Sequence, residues 1–165
     1  MLNSETKRHI DAARDVLVGV VPNPMMQIDQ ITYALIYKFM DDMDQAAIIA
    51  GGEPSFFVDD LDQYAWSRLV DSRVGNQEKM NLYAEALQKF SQSSQLPELF
   101  RTIFRSAFLP YKSPETLAMF VKEINHFDYS HPEELGNAYE YLLSRMSTQG
   151  DAGQFRTPRH IIDFM

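Results

Sequence analysis

Histidines and cysteines are the residues that most often bind transition metals, and this chain is poorly provided with both. No two histidines stand at the i, i+4 spacing that places a pair of ligands on one face of a helix. The chain contains no cysteine, which excludes disulfide bonds and thiolate ligands. His126 and His131 flank a short loop that could hold a metal weakly, although such residues are more often plain polar groups of a loop. We therefore predict no metal site from the four histidines, His9, His126, His131 and His160.

Adjacent aspartates are the second group that could do chemistry. Asp41-Asp42 and Asp59-Asp60 could serve as general acid and base only if a pocket held them at a fixed separation. The sequence shows neither feature, so solvated charges at helix ends are the favoured interpretation. No glycine-rich loop follows a strand, which excludes a phosphate cradle of the dinucleotide-binding type. The sequence predicts no catalytic residue.

The distribution of charge leaves one segment that could face nucleic acid. The formal net charge is −8, which argues against a free-standing nucleic-acid-binding protein because phosphate contacts need a basic surface. Residues 1–65 carry a balance of −7 and residues 113–165 one of −4, whereas residues 66–112 carry +3. Solvated helix faces are the more common explanation of such a balance. Only the middle third is a candidate for contact with a phosphate backbone.

Aromatic residues are spaced mainly for a packed core. The pairs Phe100/Phe104 and Tyr83/Leu87 recur at helical spacing, whereas a base-stacking surface needs exposed aromatic rings beside basic residues. Only Tyr111-Lys112 and the pair Arg101/Arg105 come near that description.

The elements that must position these residues are helices almost throughout. Apolar residues recur at helical spacing in seven segments, and no convincing β-alternation is present. Ser4, Ser113-Pro114 and Pro132 are helix starts formed by a capping side chain or a first-turn proline. The run 21–24, with two prolines, separates the first two helices. We predict an all-α, bundle-like domain of about seven helices.

Particular helices carry further expectations. The second is expected to span 25–43 and to be buried centrally, because its apolar residues occupy more than one face. It ends in acidic residues at 41–44, where the helix dipole disfavours negative charge, which suggests a partner or a neighbouring helix N-terminus. Residues 56–58 are expected to be a short extended piece or a buried loop. A third helix is expected from about residue 60, and the fifth over 96–108.

The composition changes abruptly near residue 147. Residues 147–153 are polar and contain glycine, so we place a boundary there, after a helical domain of residues 1–147. Thr157-Pro158 is another helix start, and the chain stops about two turns later on an apolar residue without a C-cap. We expect 148–165 to be a linker and the start of a further, truncated domain.

Membrane and secretory classes are not favoured. No apolar run approaches the roughly 20 residues that span a bilayer, and the N-terminus lacks the apolar region of a signal peptide. The lack of cysteine fits a reducing compartment. We expect a cytoplasmic protein.

Three segments resemble one family. Residues 31–43 (ITYALIYKFMDDM) resemble the second helix of the N-terminal domain in modification subunits of type I restriction–modification systems, which are N6-adenine DNA methyltransferases. Residues 134–143 (ELGNAYEYLL) resemble the family's helix before its catalytic domain, and residues 153–158 (GQFRTP) its entry into the methyltransferase fold. Their order and spacing match, and the resemblance extends along essentially the whole chain. It implies that 148–165 begins the catalytic methyltransferase domain.

The resemblance implies S-adenosylmethionine as the cofactor of the parent protein. Thr157 and Pro158 would open a helix whose N–H groups and positive dipole end suit the carboxylate of the cofactor. Phe155 would shape the pocket and Thr157 would hydrogen-bond the cofactor, although an N-cap role alone explains Thr157. The family's glycine-rich loop and its asparagine-proline-proline-phenylalanine motif, which holds the flipped adenine, are absent. We therefore expect no methylation by this chain alone.

The resemblance also implies partners. In the family, such domains close around DNA and contact neighbouring subunits, while the specificity subunit reads the sequence. We expect sequence-independent DNA contacts at Arg101, Arg105 and Lys112, and contacts with the specificity subunit, a second modification subunit and the restriction subunit. A stand-alone helical interaction adaptor is an alternative, against which the uncapped end argues. A fused restriction–modification enzyme is another, against which the lack of a nuclease motif ahead of the helices argues.

Overall fold

The computed structural model describes residues 4–127 and 134–147, and this part of the chain is helical without a strand. The prediction of an all-α fold with seven helices is confirmed. A 3-10 helix (Asp59–Tyr64) lies between the second and third α-helices. The helices are α1 (Ser4–Val18), α2 (Pro24–Ile49), α3 (Trp66–Leu69), α4 (Asn76–Gln92), α5 (Glu98–Phe104), α6 (Pro114–Ile124) and α7 (Glu134–Ser147).

Two helix starts carry a capping side chain, and the cap at Ser113 is one that the sequence predicts. The Asn23 side chain accepts hydrogen bonds from the backbone N–H groups of Met25 and Met26, at 2.9 and 3.2 Å, with Pro24 in the first turn of α2. Ser113 Oγ accepts the N–H of Thr116 at 3.2 Å at the start of α6. Each cap satisfies N–H groups that have no partner within the helix. The expected break between α1 and α2 is confirmed.

Helix α2 lies at the centre of the fold, as its apolar pattern predicts. It packs against α1, α3, α6 and α7, and its buried residues occupy several faces. Tyr37 is fully buried among aromatic rings whose centroids lie 4.8 to 5.9 Å away, and its hydroxyl donates to the backbone carbonyl of Tyr64 at 2.6 Å. Edge-to-face rings add stability beyond their buried area. The surrounding rings are Phe57, Trp66, Tyr83 and Phe90.

The acidic run of α2 corrects one prediction. The helix continues to Ile49, so the aspartates lie inside it, and Asp41 and Asp44 are buried rather than solvated. Asp44 Oδ1 accepts the N–H groups of Ser55 and Phe56 at 2.7 and 3.0 Å. Asp44 Oδ2 accepts the N–H of Phe57 at 2.8 Å. A single carboxylate thereby organises the buried loop after α2, where Phe57 packs into the core.

Asp41 has a related role, and here the expectation of a neighbouring helix N-terminus is met. Its Oδ2 atom accepts the N–H of Ser67 at 3.2 Å, in the first turn of α3. Burial raises the pKa of Asp41 above its ordinary value of 3.8, although the hydrogen bonds from Gln45 and Ser67 oppose that rise. Asp42 pairs instead with Lys38 of the same helix, at 2.6 Å. The Asp41-Asp42 pair is therefore structural.

Two other expected helices differ in extent. The third is divided at Ala65, whose backbone (φ −54°, ψ 139°) cannot continue a helix, into the 3-10 helix and α3. The fifth ends at Phe104 instead of residue 108. After Phe104 the backbone forms a turn, closed by the hydrogen bond from the N–H of Ala107 to the carbonyl of Phe104 at 3.1 Å. The carbonyl of Phe108 accepts a hydrogen bond from the side-chain amide of Gln30 at 3.0 Å.

The C-terminal predictions lie outside the described residues. Helix α7 begins at Glu134 and ends at Ser147, whereas Pro132 and the expected linker and catalytic start at 148–165 are not described. In the described ranges, no helix combines the length and the apolar character needed to cross a membrane.

Candidate nucleic-acid interface

The three predicted DNA-contacting residues belong to one continuous stretch of the chain. We call residues 101–112 the basic segment; it starts within α5 and runs through the loop that leads to α6. Arg101 is half-buried on α5, Arg105 immediately follows that helix, and Lys112 precedes the cap of α6. Arg105 and Lys112 are exposed. Two of the three cations are therefore exposed to solvent, and the third is exposed in part.

The loop of the basic segment is fixed by contacts at both ends and in its middle. The N–H of Ala107 donates to the carbonyl of Phe104 at 3.1 Å, which closes a turn after α5. The side-chain amide of Gln30, on the central helix, donates to the carbonyl of Phe108 at 3.0 Å. Ser113 caps α6 directly after Lys112. A surface held in this way requires little ordering when a ligand binds.

Among the residues that the structure describes, no carboxylate pairs with the cations of the basic segment. Arg101, Arg105 and Lys112 form no ion pair with any residue in the ranges 4–127 and 134–147. Within the same ranges, the buried Nε atom of Arg101 also lacks a hydrogen-bond partner. Binding of an anion would therefore not have to break an ion pair first.

Two other cations of the basic third, Arg68 and Arg73, are paired. Arg73 binds Asp71 through two side-chain hydrogen bonds of 2.8 and 3.1 Å, which lower the pKa of Asp71 to about 2. Arg68 lies 3.8 Å from Glu78. Lys89 lines a cavity of about 810 Å³ that also contains Asp59, Asp60 and Asp62. Arg68 and Arg73 thus have carboxylate partners, unlike the cations of the basic segment.

The aromatic partner of these cations is not the one that the sequence suggested. Tyr111 is 8% exposed, and burial raises the pKa of its hydroxyl well above 10, so its ring belongs to the core. Phe108 is 56% exposed and lies between Arg105 and Lys112 in the chain. Sequence reasoning missed Phe108 because it stands four residues after the buried Phe104, on the apolar face of a helix expected to reach residue 108. The early end of α5 moves its ring out of that pattern.

The two histidines in the described ranges, His9 and His126, pack against each other. The rings of His9 and His126 stack at 4.2 Å, and His9 Nδ1 lies 2.9 Å from a carboxylate oxygen of Glu123. In the part of the chain that the structure describes, no group of three or more histidine and acidic side chains is arranged to hold a metal. His131 and His160 lie outside the described residues.

The predicted cofactor contacts are also outside the described residues. Phe155, Thr157 and Pro158 belong to the segment 148–165, and no geometry is assigned to them. The described surface offers cations and an exposed ring, which can bind a polyanion without changing it chemically.

Comparison with known proteins gives one relative. The chain is 23% identical over 163 residues to the methylase subunit of the type I restriction enzyme EcoEI from Escherichia coli, a match that covers 88% of this chain and 32% of that subunit. The chain thus spans about a third of the length of the relative it matches. No protein-family model and no solved structure matches it. The chain is similar to part of a type I restriction enzyme methylase subunit.

Proposed function

We propose that this chain is the helical N-terminal portion of the modification subunit of a type I restriction–modification system. The observation that carries the proposal is the similarity to the EcoEI methylase subunit over 88% of the chain. The three family-like segments found in the sequence support it, because they follow one another in the family's order. The parent protein would transfer a methyl group from S-adenosylmethionine to the N6 atom of adenine, in the cytoplasm.

The role of this portion is to hold DNA by its backbone. The unpaired cations of the basic segment support this assignment, since neutralising phosphates and releasing counterions supplies most sequence-independent affinity. Phe108 could add contact with a sugar or an exposed base. Backbone contacts fix the position of the duplex and carry no sequence information. Target recognition would then belong to the specificity subunit.

Subunit contacts would use other surfaces. The acidic first third suits protein better than DNA, and the end of α2 exposes two apolar side chains, Ile48 at 47% and Ile49 at 86%. Exposed apolar residues of this size, next to one another, are typical of contact sites. The partners would be the specificity subunit, a second modification subunit and the restriction subunit.

The cofactor contacts of the parent protein would begin beyond the helical domain. We assign Phe155, Thr157 and Pro158 to the pocket for S-adenosylmethionine, which supplies the methyl group when bound. The remainder of that pocket and the adenine-holding motif would come from the rest of the parent protein. This chain by itself is therefore expected to be inactive.

The test uses the complete gene product, purified with its specificity subunit, and duplex DNA that contains the target. We expect the complex to transfer labelled methyl groups to DNA, and the 165-residue chain alone to transfer none. The variant R101Q/R105Q/K112Q in the complex should bind DNA at least about tenfold more weakly at low salt. The slope of the logarithm of the binding constant against the logarithm of the salt concentration should become less steep by up to about 2.7. The matched control is R68Q/R73Q, which neutralises two cations that already have carboxylate partners.

Each part of the proposal can fail separately. Absence of methyl transfer by the complex would contradict the parent activity, and transfer by the short chain would contradict its inactivity. Equal DNA affinity and salt slope in the triple variant and the wild type would contradict the assignment of the basic segment.

The second candidate function is a helical protein-interaction adaptor. The exposed Ile48 and Ile49 favour it, because such a surface serves protein contact whether or not DNA is bound. An adaptor would bind its protein partner with unchanged affinity in the triple variant and would not bind DNA in any complex. Loss of partner binding in I48S/I49S without any DNA binding by the wild type would favour this function.

A further inference from the structure

A cavity between α3, α4 and α6 lies outside the basic segment. Its volume is about 450 Å³, within the range of small-molecule sites. Apolar side chains form part of its wall, and the fully buried Leu69 and Val121 belong to the core beneath it. The residues that line it are Leu69, Val70, Ser72, Lys79, Ala118, Val121, Lys122, Asn125 and His126.

The charged groups that line this cavity are all basic. Lys79 on α4 and Lys122 on α6 are both lining residues, and no carboxylate is among them. Neither lysine forms an ion pair with a residue in the described ranges.

Carboxylates near the cavity are already engaged elsewhere. Asp71 lies close enough for Lys79 to contribute to the lowering of its pKa, but Arg73 holds its carboxylate through two hydrogen bonds. Glu123, beside Lys122 in the chain, lies 2.9 Å from His9 Nδ1. Neither acid forms an ion pair with a lysine of the cavity.

Asn125 and His126 are neutral polar residues that also line the cavity. The side-chain oxygen of Asn125 accepts a hydrogen bond from Trp66 Nε1 at 3.0 Å, which leaves the amide NH₂ as the available donor. One face of the His126 ring is covered by His9. An ammonium pair, an amide donor and an apolar wall are suited to an anionic group carried on an apolar body.

We propose that this cavity binds a small organic anion, a phosphate or carboxylate attached to an apolar or aromatic body. Lys79 and Lys122 hold the anionic group, Asn125 donates to it, and the body lies against Val121. A DNA backbone is a poorer occupant, because its successive phosphates need a contact surface extended along the strand rather than one small cavity. The site is separate from the basic segment, so it does not rest on the function proposed above.

The probe for the test is phenyl phosphate, which combines a ring with a phosphate. Titration of the 165-residue chain, followed by NMR shifts of backbone amides in α4 and α6, should saturate at one site per chain. Benzyl alcohol, which lacks the charge, and inorganic phosphate, which lacks the ring, should each bind at least about tenfold more weakly. Phosphate and carboxylate ligands are distinguished by repeating the titration with benzoate.

The variant K79Q/K122Q should weaken binding of phenyl phosphate by about tenfold or more, since each lysine contributes a charge-assisted contact. K89Q is the matched control on α4, because Lys89 is exposed and lines the acidic cavity instead. Both variants change surface lysines, and unchanged far-UV circular dichroism will show that they fold.

Three outcomes would overturn the proposal. One is the absence of saturable binding of both phenyl phosphate and benzoate to the wild type. Another is equal binding by K79Q/K122Q and K89Q. The third is displacement of phenyl phosphate by duplex DNA together with a loss of DNA affinity in K79Q/K122Q as large as that of the basic-segment variant, which would make the cavity part of the DNA-contacting surface.

Discussion

The acidic run of α2 and the basic segment are both short clusters of like charge, yet the fold treats them in opposite ways. Asp41 and Asp44 are buried, and their carboxylates accept backbone N–H groups from Ser67 and from residues 55–57. The cations at 101–112 have no ion-pair partner among the described residues. The buried aspartates have their hydrogen-bond partners within the chain, whereas the cations are available to bind another molecule.

The comparison shows that a cluster of charge does not by itself indicate a functional site. A buried carboxylate that accepts three backbone hydrogen bonds is costly to remove, because its donors then lose both partner and water. An exposed cation without a partner contributes little to stability and keeps its full charge for binding. Polar groups that lack partners inside the chain are therefore expected to bind ligands. Polar groups that have such partners are expected to stabilise the fold.

The largest effect is expected for D44N. This substitution removes the charge that accepts the N–H groups of Ser55, Phe56 and Phe57, and its amide NH₂ opposes one of these donors. We expect the free energy of unfolding to fall by about 3 kcal/mol, as measured by urea denaturation. The matched control is D62N, at an exposed aspartate with no hydrogen bond or ion pair in the described ranges.

The basic segment provides the opposite control. The triple variant R101Q/R105Q/K112Q should change the free energy of unfolding by less than about 0.5 kcal/mol. If the triple variant lowered the free energy of unfolding as much as D44N does, both clusters would be structural.

A smaller effect is expected for a pair of tyrosines, one in each region. Tyr37 in α2 donates its hydroxyl to the carbonyl of Tyr64 at 2.6 Å, whereas the buried Tyr111 hydroxyl has no hydrogen-bond partner among the described residues. Y37F should lower the free energy of unfolding by about 1.5 kcal/mol, because a buried carbonyl loses its donor. Y111F should leave it unchanged or raise it slightly, since a buried hydroxyl without a partner is unfavourable. Equal losses in both variants would contradict the distinction between the regions.

The smallest effect concerns the pH dependence contributed by Asp41. Because its pKa is raised in the folded state, the folded chain binds a proton more tightly than the unfolded chain. The stability that this group contributes therefore falls as the pH rises from its ordinary pKa of 3.8 through its raised pKa in the folded state. At higher pH this contribution stays constant. As the pH rises over that range, the free energy of unfolding of D41N should therefore increase relative to that of the wild type. Chemical denaturation between pH 4 and 7 measures this difference, and a difference independent of pH would contradict the role of burial.

Much of the fold could be predicted because its signals are local. Ser113-Pro114 marks a helix start through groups only two or three residues away, and that start is observed. The end of α5 could not be predicted in the same way. Apolar spacing continues to Phe108, but the loop is held by Gln30, which is 78 residues away in the chain.

The candidate interface was predictable in part for the same reason. Arg101, Arg105 and Lys112 can be selected as cations of the only basic third. Their lack of carboxylate partners, and the pairing of Arg73 with Asp71, depend on side-chain geometry. Phe108 was not predicted, because its exposure follows from the early end of α5.

The sequence by itself determined the helical class, the approximate number of helices, the Ser113 cap of α6 and the likeness to a type I modification subunit. These properties follow from periodicity, capping chemistry and segment order, all of which act over a few residues. Only the tertiary structure decided which charged groups have partners within the chain and which are available to bind another molecule. That outcome depends on contacts such as Asp41 with Ser67, 26 residues apart, whose geometry no local pattern encodes.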